Sequence, residues 1–493
     1  ATSESARFGQ VRFPAHVEKM KSGGFRMWLQ GAHHCAAPCA GSFTTVRYSS
    51  DGSDWGPPEA YSHIQLDGSE VRDPSWVQLS VSQPSTCGGT RVHRHVYYAS
   101  FWCGHRTNQE MRLHEWRWPD LVCLAYSDDG ISWRSIGRKR QPILKLGHGA
   151  DCDISVMFDC KAWAYVLIKR RNIPTPLSWR HIRGTEVFWN RDMHNPDGWE
   201  RQTSFWLDRQ GESDRYRRQT YSLTVTPFTE DHVEGLGSKA QDSTLYLGML
   251  SCLEYPKAKG LDQLTVYLAP SRDGLRYMVD DVYSSVPFIP LGSMGSGVAG
   301  GGATGAGATG SDEGRDSRII FPANSVVTHD GSHWLFYEGR AAGHEERFMG
   351  AGYLGVARWP YGRFAGLRST DATRAGQVLT RTFVLNGSRL LLDLEVPESG
   401  GECMVELRGA LGSRALDLDH EHVATARRVL LKSEPLREGR MLNQTEAAVV
   451  WIGASGRRTA SIRDALKRFR GWRVRLRFRL LGSAVLYAFQ LAS

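Results

Sequence analysis

One closing motif, Ser-x-Asp-Gly-x-x-aromatic, limits what this chain can fold into more than any other feature. It reads Ser49-Ser50-Asp51-Gly52-Ser53-Asp54-Trp55, then Ser127-Asp128-Asp129-Gly130-Ile131-Ser132-Trp133, then Ser271-Arg272-Asp273-Gly274-Leu275-Arg276-Tyr277. Asp-Gly makes a tight turn because both residues tolerate positive φ, and the aromatic then anchors the outgoing strand. Recurrence at this spacing points to similar supersecondary units that bury their faces against one another.

The rest of the unit is also legible. Aromatic-rich second strands are expected at Phe25 to Leu29, Val96 to Trp102, Trp163 to Ile168, Leu245 to Leu250 and Trp334 to Tyr337. Each follows a shorter apolar opening: Phe13 to Val17, Asp73 to Leu79, Asp153 to Phe158, Tyr221 to Val225 and Phe321 to Val327. The wording Phe13-Pro14-Ala15 returns as Phe321-Pro322-Ala323. Units of this size with several strands each read as blades of a five-bladed β-propeller over residues 8–368. No long amphipathic helical pattern intervenes, which argues against a βα barrel. The Gly/Ala/Ser tract 292–310 cannot bury a core, and without a Gly-Lys-Ser/Thr ending it reads as a surface insertion, not a phosphate cradle. Past Arg368 the texture changes. Val378 to Leu385, Arg389 to Val396, Cys403 to Leu407, Ala447 to Ile452, Trp472 to Leu480 and Val485 to Leu491 suggest a β-sandwich over 371–493.

Composition sets the remaining bounds. At 493 residues, two to three domains are expected. The net charge of +9 admits a polyanionic partner. Only Lys169-Arg170-Arg171 and Arg215 to Arg218 cluster, however, and no nucleic-acid-binding signature is present, so no nucleic acid is expected. No apolar run is long enough for a membrane span. The nine cysteines form no zinc pattern and fit free thiols or one or two disulfides. A chain opening on Ala1 without Met or apolar leader reads as a processed or trimmed product; a secreted or extracytoplasmic address is compatible with that, and the compartment stays open.

Val71-Arg72-Asp73-Pro74, the three closers and the trailing sandwich together resemble the five-bladed propeller glycosidases of glycoside hydrolase families 32, 43 and 68. Tyr337-Glu338-Gly339 and the segments Phe288 to Gly292 and Trp472 to Phe489 look like bacterial family-32-like proteins of mostly unassigned activity. The sialidase Asp-box places a residue between Asp and Gly, whereas here the two are adjacent in every copy. The resemblance implies a glycosidase acting on a furanoside or related saccharide, with no cofactor. Glycoside hydrolysis needs two carboxylates flanking the bond. In the resembled families the Arg-Asp-Pro aspartate fixes sugar hydroxyls, a role that would fall to Asp73.

In a propeller, first strands begin and second strands end on the same face, so chemistry gathers from those two sets of positions. The catalytic candidates are Asp73, Asp153 and Glu338; for Glu338 the competing role is an ion pair with Arg340. The saccharide-binding candidates are Arg72, Trp102, His105, Asp151, Arg170, Arg218, Tyr221, Arg318 and His344. His33, His34, His105 and His344 come from three blades, and most isolated histidines are sugar contacts or surface groups, so no metal is expected. One departure is plain: Phe13 stands at the first opening where Asp73 stands in the second, and the resembled families keep a nucleophile or base Asp there. A carbohydrate-binding propeller without catalysis is the alternative.

Overall fold

A computed structural model of the chain describes residues 10–32, 42–57, 59–66, 69–70, 80–82, 86–87, 90–91, 95–102, 121–136, 144–145, 154–174, 181–207, 218–228, 245–255, 262–292, 316–343, 352–397, 400–409, 429–433, 447–448, 451–452, 466–467 and 469–492. Nearly all regular structure in them is β; the one described helix is the four-residue Asp280–Tyr283. The chain divides into two units, Ala1–Arg358 and Trp359–Ser493.

The first unit is a series of antiparallel meanders. The first runs Gln10–Lys19, Phe25–Ala32, Ser42–Ser49, Ala60–Leu66. It shares a sheet with Ser80–Ser82, Tyr97–Trp102, Leu121–Ser127 and Ser132–Ser135 through the parallel pairs Ser132↔His63 to Arg134↔Gln65. A separate sheet holds Ile154–Asp159, Ala164–Pro174, His181–Asn190 and Glu200–Phe205. Two further meanders, Arg218–Phe228, Leu245–Glu254, Gln263–Ser271 and Ile319–His329, Ser332–Arg340, Tyr353–Pro360, meet through Leu264↔Ile319. The expected second strands fall where the aromatic runs lie. In the second meander, the strand pairing with Tyr97–Trp102 is Ser80–Ser82, later than the expected opening, whose residues 73–79 lie outside the described set.

First strands of consecutive meanders pack against each other, and Gln10–Lys19 packs against Ile319–His329. That last seam is explicit: Val17 N–H donates to Ser325 Oγ at 2.9 Å, and Ser325 Oγ donates back to Val17 O at 2.8 Å. Val17, Phe25, Met27 and Leu29 share one core with Ala323, Val327, Trp334 and Phe336. Phe25 stacks on Trp334 with centroids 5.4 Å apart. Burying side chains of this size contributes about 1.5–3 kcal/mol each. Other seams follow the same rule. Tyr98, Val122 and Leu124 pack with Leu167 and Phe188, while Val166, Ile168 and Val187, on the opposite face of that meander, pack with Leu223, Val225 and Tyr246.

The three closers are built alike. Ser49, Ser127 and Ser271 each accept the N–H of the glycine three residues on, at 2.8, 2.8 and 3.0 Å. Asp51, Asp129 and Asp273 each accept two downstream N–H groups at 2.7–3.1 Å through one carboxylate oxygen. These bonds favour the ionised form and lower all three carboxyl pKa values; for Asp51 they are the largest influence, while for Asp129 and Asp273 they outweigh burial. Only the glycines have positive φ, at 77°, 77° and 70°. Both residues tolerate positive φ, but only the glycine uses that tolerance here, and the aspartate contributes its carboxylate. The closers also staple seams: Trp28 Nε1–H donates to Gly130 O at 2.7 Å, and Arg26 donates to Asp129 O at 2.8 Å.

The second unit is two sheets over one core. Leu367–Arg368, Val485–Ala492, Arg389–Glu395 and Ala447–Ala448 form one; Gly376–Leu379, Arg473–Gly482, Gly401–Gly409, Val429–Ser433 and Trp451–Ile452 form the other. Leu390, Leu392 and Leu394 meet Val405, Leu407, Leu476 and Phe478 between them. Along Arg473–Gly482, Val474, Leu476, Phe478 and Leu480 point inward and Arg473, Arg475, Arg477 and Arg479 outward, as the alternating sequence requires.

Candidate functional site

Backbone register defines one level in the first unit where first strands open and second strands pass them. Ile154 pairs with Lys169, Arg218 with Glu254, and Ile319 with Arg340. The strand Ala164–Pro174 continues beyond its first-strand partner, carrying Arg170 and Arg171 past the opening.

Charged and aromatic side chains form a continuous row here. The Arg170 guanidinium lies 4.7 Å from the Tyr221 ring centre, and Arg183 reaches the same ring at 5.8 Å. Tyr221 is 5.7 Å from Phe321, and Arg340 lies 5.6 Å over Phe321. Arg340 Nε–H donates to Glu338, whose side chain has no accessible surface. Tyr221 owes its position to a β-bulge: Thr220 and Ser222 pair with adjacent residues of the partner strand and Tyr221 is the extra one. Bulges re-aim side chains in this way next to functional sites.

Around the row, further charges are paired. Arg318 meets Asp262 at 3.6 Å and also donates to its backbone carbonyl. Arg218 meets Glu254 at 3.4 Å and donates to Val282 O and Ser285 Oγ, both at 2.5 Å. Tyr267 donates to Glu254 at 2.8 Å; burial first, then that carboxylate, raises the phenol pKa. Glu186, buried, accepts from Arg171 at 3.1 Å and Arg201 at 3.3 Å, with the Lys169 ammonium at 3.4 Å.

Of the residues expected from sequence, the structure thus joins Arg170, Tyr221 and Glu338 in one row. It places Arg318 and Arg218 in ion pairs at the same level. Glu338 is in the ion pair with Arg340 that competed with its catalytic role. Trp102 closes the strand Tyr97–Trp102, and its side chain lies outside the described residues, as do Arg72, Asp73, His105, Asp151, Asp153 and His344. Phe321, Arg183, Asp262 and Glu186 were not anticipated as site residues; only Phe321, at a strand opening, carried a sequence signal. Among the described residues no group of three or more His, Cys, Asp or Glu could hold a metal ion, and no helix is long and apolar enough to cross a membrane. Cys123 and Cys160 are disulfide-bonded, whereas Cys252 and Cys403 are free and buried.

No family model and no curated protein matches the chain. Among solved structures it is similar to BT0996 in its RGII complex, at 15% identity and a TM-score of 0.45, over 71% of this chain and 87% of that protein. It is similar to the GH32 β-fructofuranosidase BmSUC1 of Bombyx mori (12% identity, TM-score 0.37, 98% and 92%). It is also similar to the exo-inulinase of Aspergillus awamori (10% identity, TM-score 0.40, 99% and 97%).

Proposed function

We propose that the first unit is a five-bladed propeller and that the chain is a glycoside-hydrolase-like protein binding a furanoside or related saccharide at its mouth. The cyclic packing of first strands, ending with Gln10–Lys19 on Ile319–His329, supports the closed ring. The observation that carries the functional reading is the row Arg170–Tyr221–Phe321–Arg340 at the level where the strands open. The rings of Tyr221 and Phe321 are buried and hold the guanidinium groups in place, and Arg183 and Arg340, which keep accessible surface, suit a ligand that offers hydroxyl acceptors. Lys169, Arg170, Glu186, Asp262, Arg318 and Glu338 are all buried at this level. Buried charges cost free energy unless paired, so holding this many at one level is a cost that the core alone does not require.

Hydrolysis in this reading rests on Asp73 and Asp153. A carboxylate with no accessible surface, bonded to Arg340, has no face to offer a glycosidic oxygen, so Glu338 positions Arg340 instead. The same observation favours the second reading, a propeller that binds saccharide without cleaving it, and so does the strand Gln10–Lys19, whose one carboxylate, Glu18, is bonded to Arg26. A glycan array coupled to reducing-end product analysis separates them, with Asp73→Asn and Asp153→Asn as variants. The first reading expects retention of a glycan, release of product, and loss of product in both variants with melting unchanged. Retention without product selects the binding propeller; no retained glycan at all refutes both.

A further inference from the structure

We infer that the third meander carries an oxyanion subsite, and that the saccharide bound at the mouth bears a carboxylate or sulfate group there. This rests on the saccharide reading above. Lys169, Arg171 and Arg201 converge on the single carboxylate of Glu186, at 3.4, 3.1 and 3.3 Å, leaving two positive charges in excess. Both arginines bond the same Oε1 atom, so their head groups lie side by side. Lys169 is only 1% exposed and cannot be solvated by bulk water, whereas Arg171 and Arg201 are 33% and 53% exposed and face it.

Three like charges held around one carboxylate repel one another, and that repulsion falls when an anion sits against the open side of the two guanidiniums. Each guanidinium has five N–H donors in a planar fork, and each uses one on Glu186 in a described bond. Donors remain in both forks for the oxygens of a second oxyanion, the geometry in which Arg binds carboxylate or sulfate most strongly. Strand alternation sets this cluster on the face of the meander that packs on Val122 and Leu124, while Arg170 takes the face that packs on Tyr221. A ligand lying over the tip of Ala164–Pro174 meets both: its neutral ring against the aromatic row, its charged substituent against Arg171 and Arg201.

The test is calorimetric titration of the full chain with three probes of matched length: a neutral oligosaccharide, a uronate-bearing one and a sulfated one, with sodium sulfate alone as a fourth. The variant is Arg171→Gln/Arg201→Gln, which leaves Glu186 its Lys169 partner; its melting temperature is checked alongside. One of the acidic probes should bind the wild type at least about tenfold more tightly than the neutral one, as expected for a charge-assisted guanidinium pair. The variant should lose that preference while holding the neutral probe unchanged. Neutral binding with no acidic preference, or a preference that survives in the variant, overturns the subsite and leaves the saccharide reading intact. Sulfate binding that the variant abolishes, with no acidic saccharide preferred, overturns it in favour of a free-anion site. If no saccharide binds, both inferences fall.

Discussion

Gly52, Gly130 and Gly274 occupy the same position in three closers, yet the structure makes them unequal. All three have φ near +70 to +77°, so alanine at any of them adopts a left-handed backbone, at about 1–2 kcal/mol. At Gly274 nothing more is added, because a Cβ there lies 3.5 Å from the Tyr246 ring, an ordinary contact. At Gly130 a Cβ would stand 2.8 Å from Trp28 Cζ2, and at Gly52 2.7 Å from Trp334 Cζ3 with Phe25 at 3.2 Å. Trp28 is fully buried and its indole N–H is bonded to Gly130 O itself, so the ring cannot withdraw without losing that bond. Overpacking of this kind adds about 1–3 kcal/mol. Gly274→Ala is therefore expected to cost about 1–2 kcal/mol, and Gly130→Ala and Gly52→Ala about 2–5 kcal/mol. Urea unfolding of the full-length variants, compared by midpoint at a common m value, reads the order directly. If Gly274→Ala is as damaging as Gly130→Ala, or Gly130→Ala lies within about 1 kcal/mol of wild type, the seam role given to the closers is wrong.

Two further outcomes follow from buried charge. His16 is buried, and that burial, with Arg26 nearby, lowers its pKa from 6.5 to about 3. The unfolded chain thus takes up a proton between those values that the folded chain refuses, so stability is full above pH 6.5 and falls by up to about 1.4 kcal/mol per unit on acidification toward pH 3. Urea midpoints for wild type and His16→Gln at pH 7.5 and 5 test it; an equal acid loss in both refutes it. Glu338→Gln removes the buried carboxylate bonded to Arg340 and should cost about 3 kcal/mol; a variant as stable as wild type would show that the pair does not hold Arg340 in place.

What is legible in the sequence is local. The closers stand out because their bonds run from Ser to i+3 and from Asp to i+2 and i+3, within one seven-residue window. Second strands stand out because aromatic and β-branched residues fill both buried faces of a strand between two seams. The aspartate's part is easily misread because positive φ and side-chain capping favour the same residues in a turn, and only geometry separates them. The seams themselves are illegible: Thr224 donates to Asn324 a hundred positions away, and Val17 meets Ser325 across 308. Arg183 reaches Tyr221 from a strand that no motif marks.

Bulges explain why counting along strands could not transfer a catalytic residue from one opening to another. The register of Gln10–Lys19 slips between Val11 and Pro14 and again before His16, so that Phe13 falls inside an irregularity. Arg218–Phe228 slips at Tyr221, and Ile319–His329 slips between Pro322 and Val326. Side chains alternate with period two, so a single extra residue sends every following side chain to the other face. Aligning Phe13 with Asp73 by position therefore does not establish which side chain the first opening presents. Composition limits the possibilities more firmly than alignment does. Gln10–Lys19 contains one carboxylate, Glu18, and it accepts from the buried Arg26 and from Tyr97 at the far end of the strand. No register of that strand supplies a second catalytic carboxylate at the mouth. Under the proposed hydrolysis the second carboxylate has to come from another strand, and Asp73→Asn and Asp153→Asn test the two candidates read from the sequence.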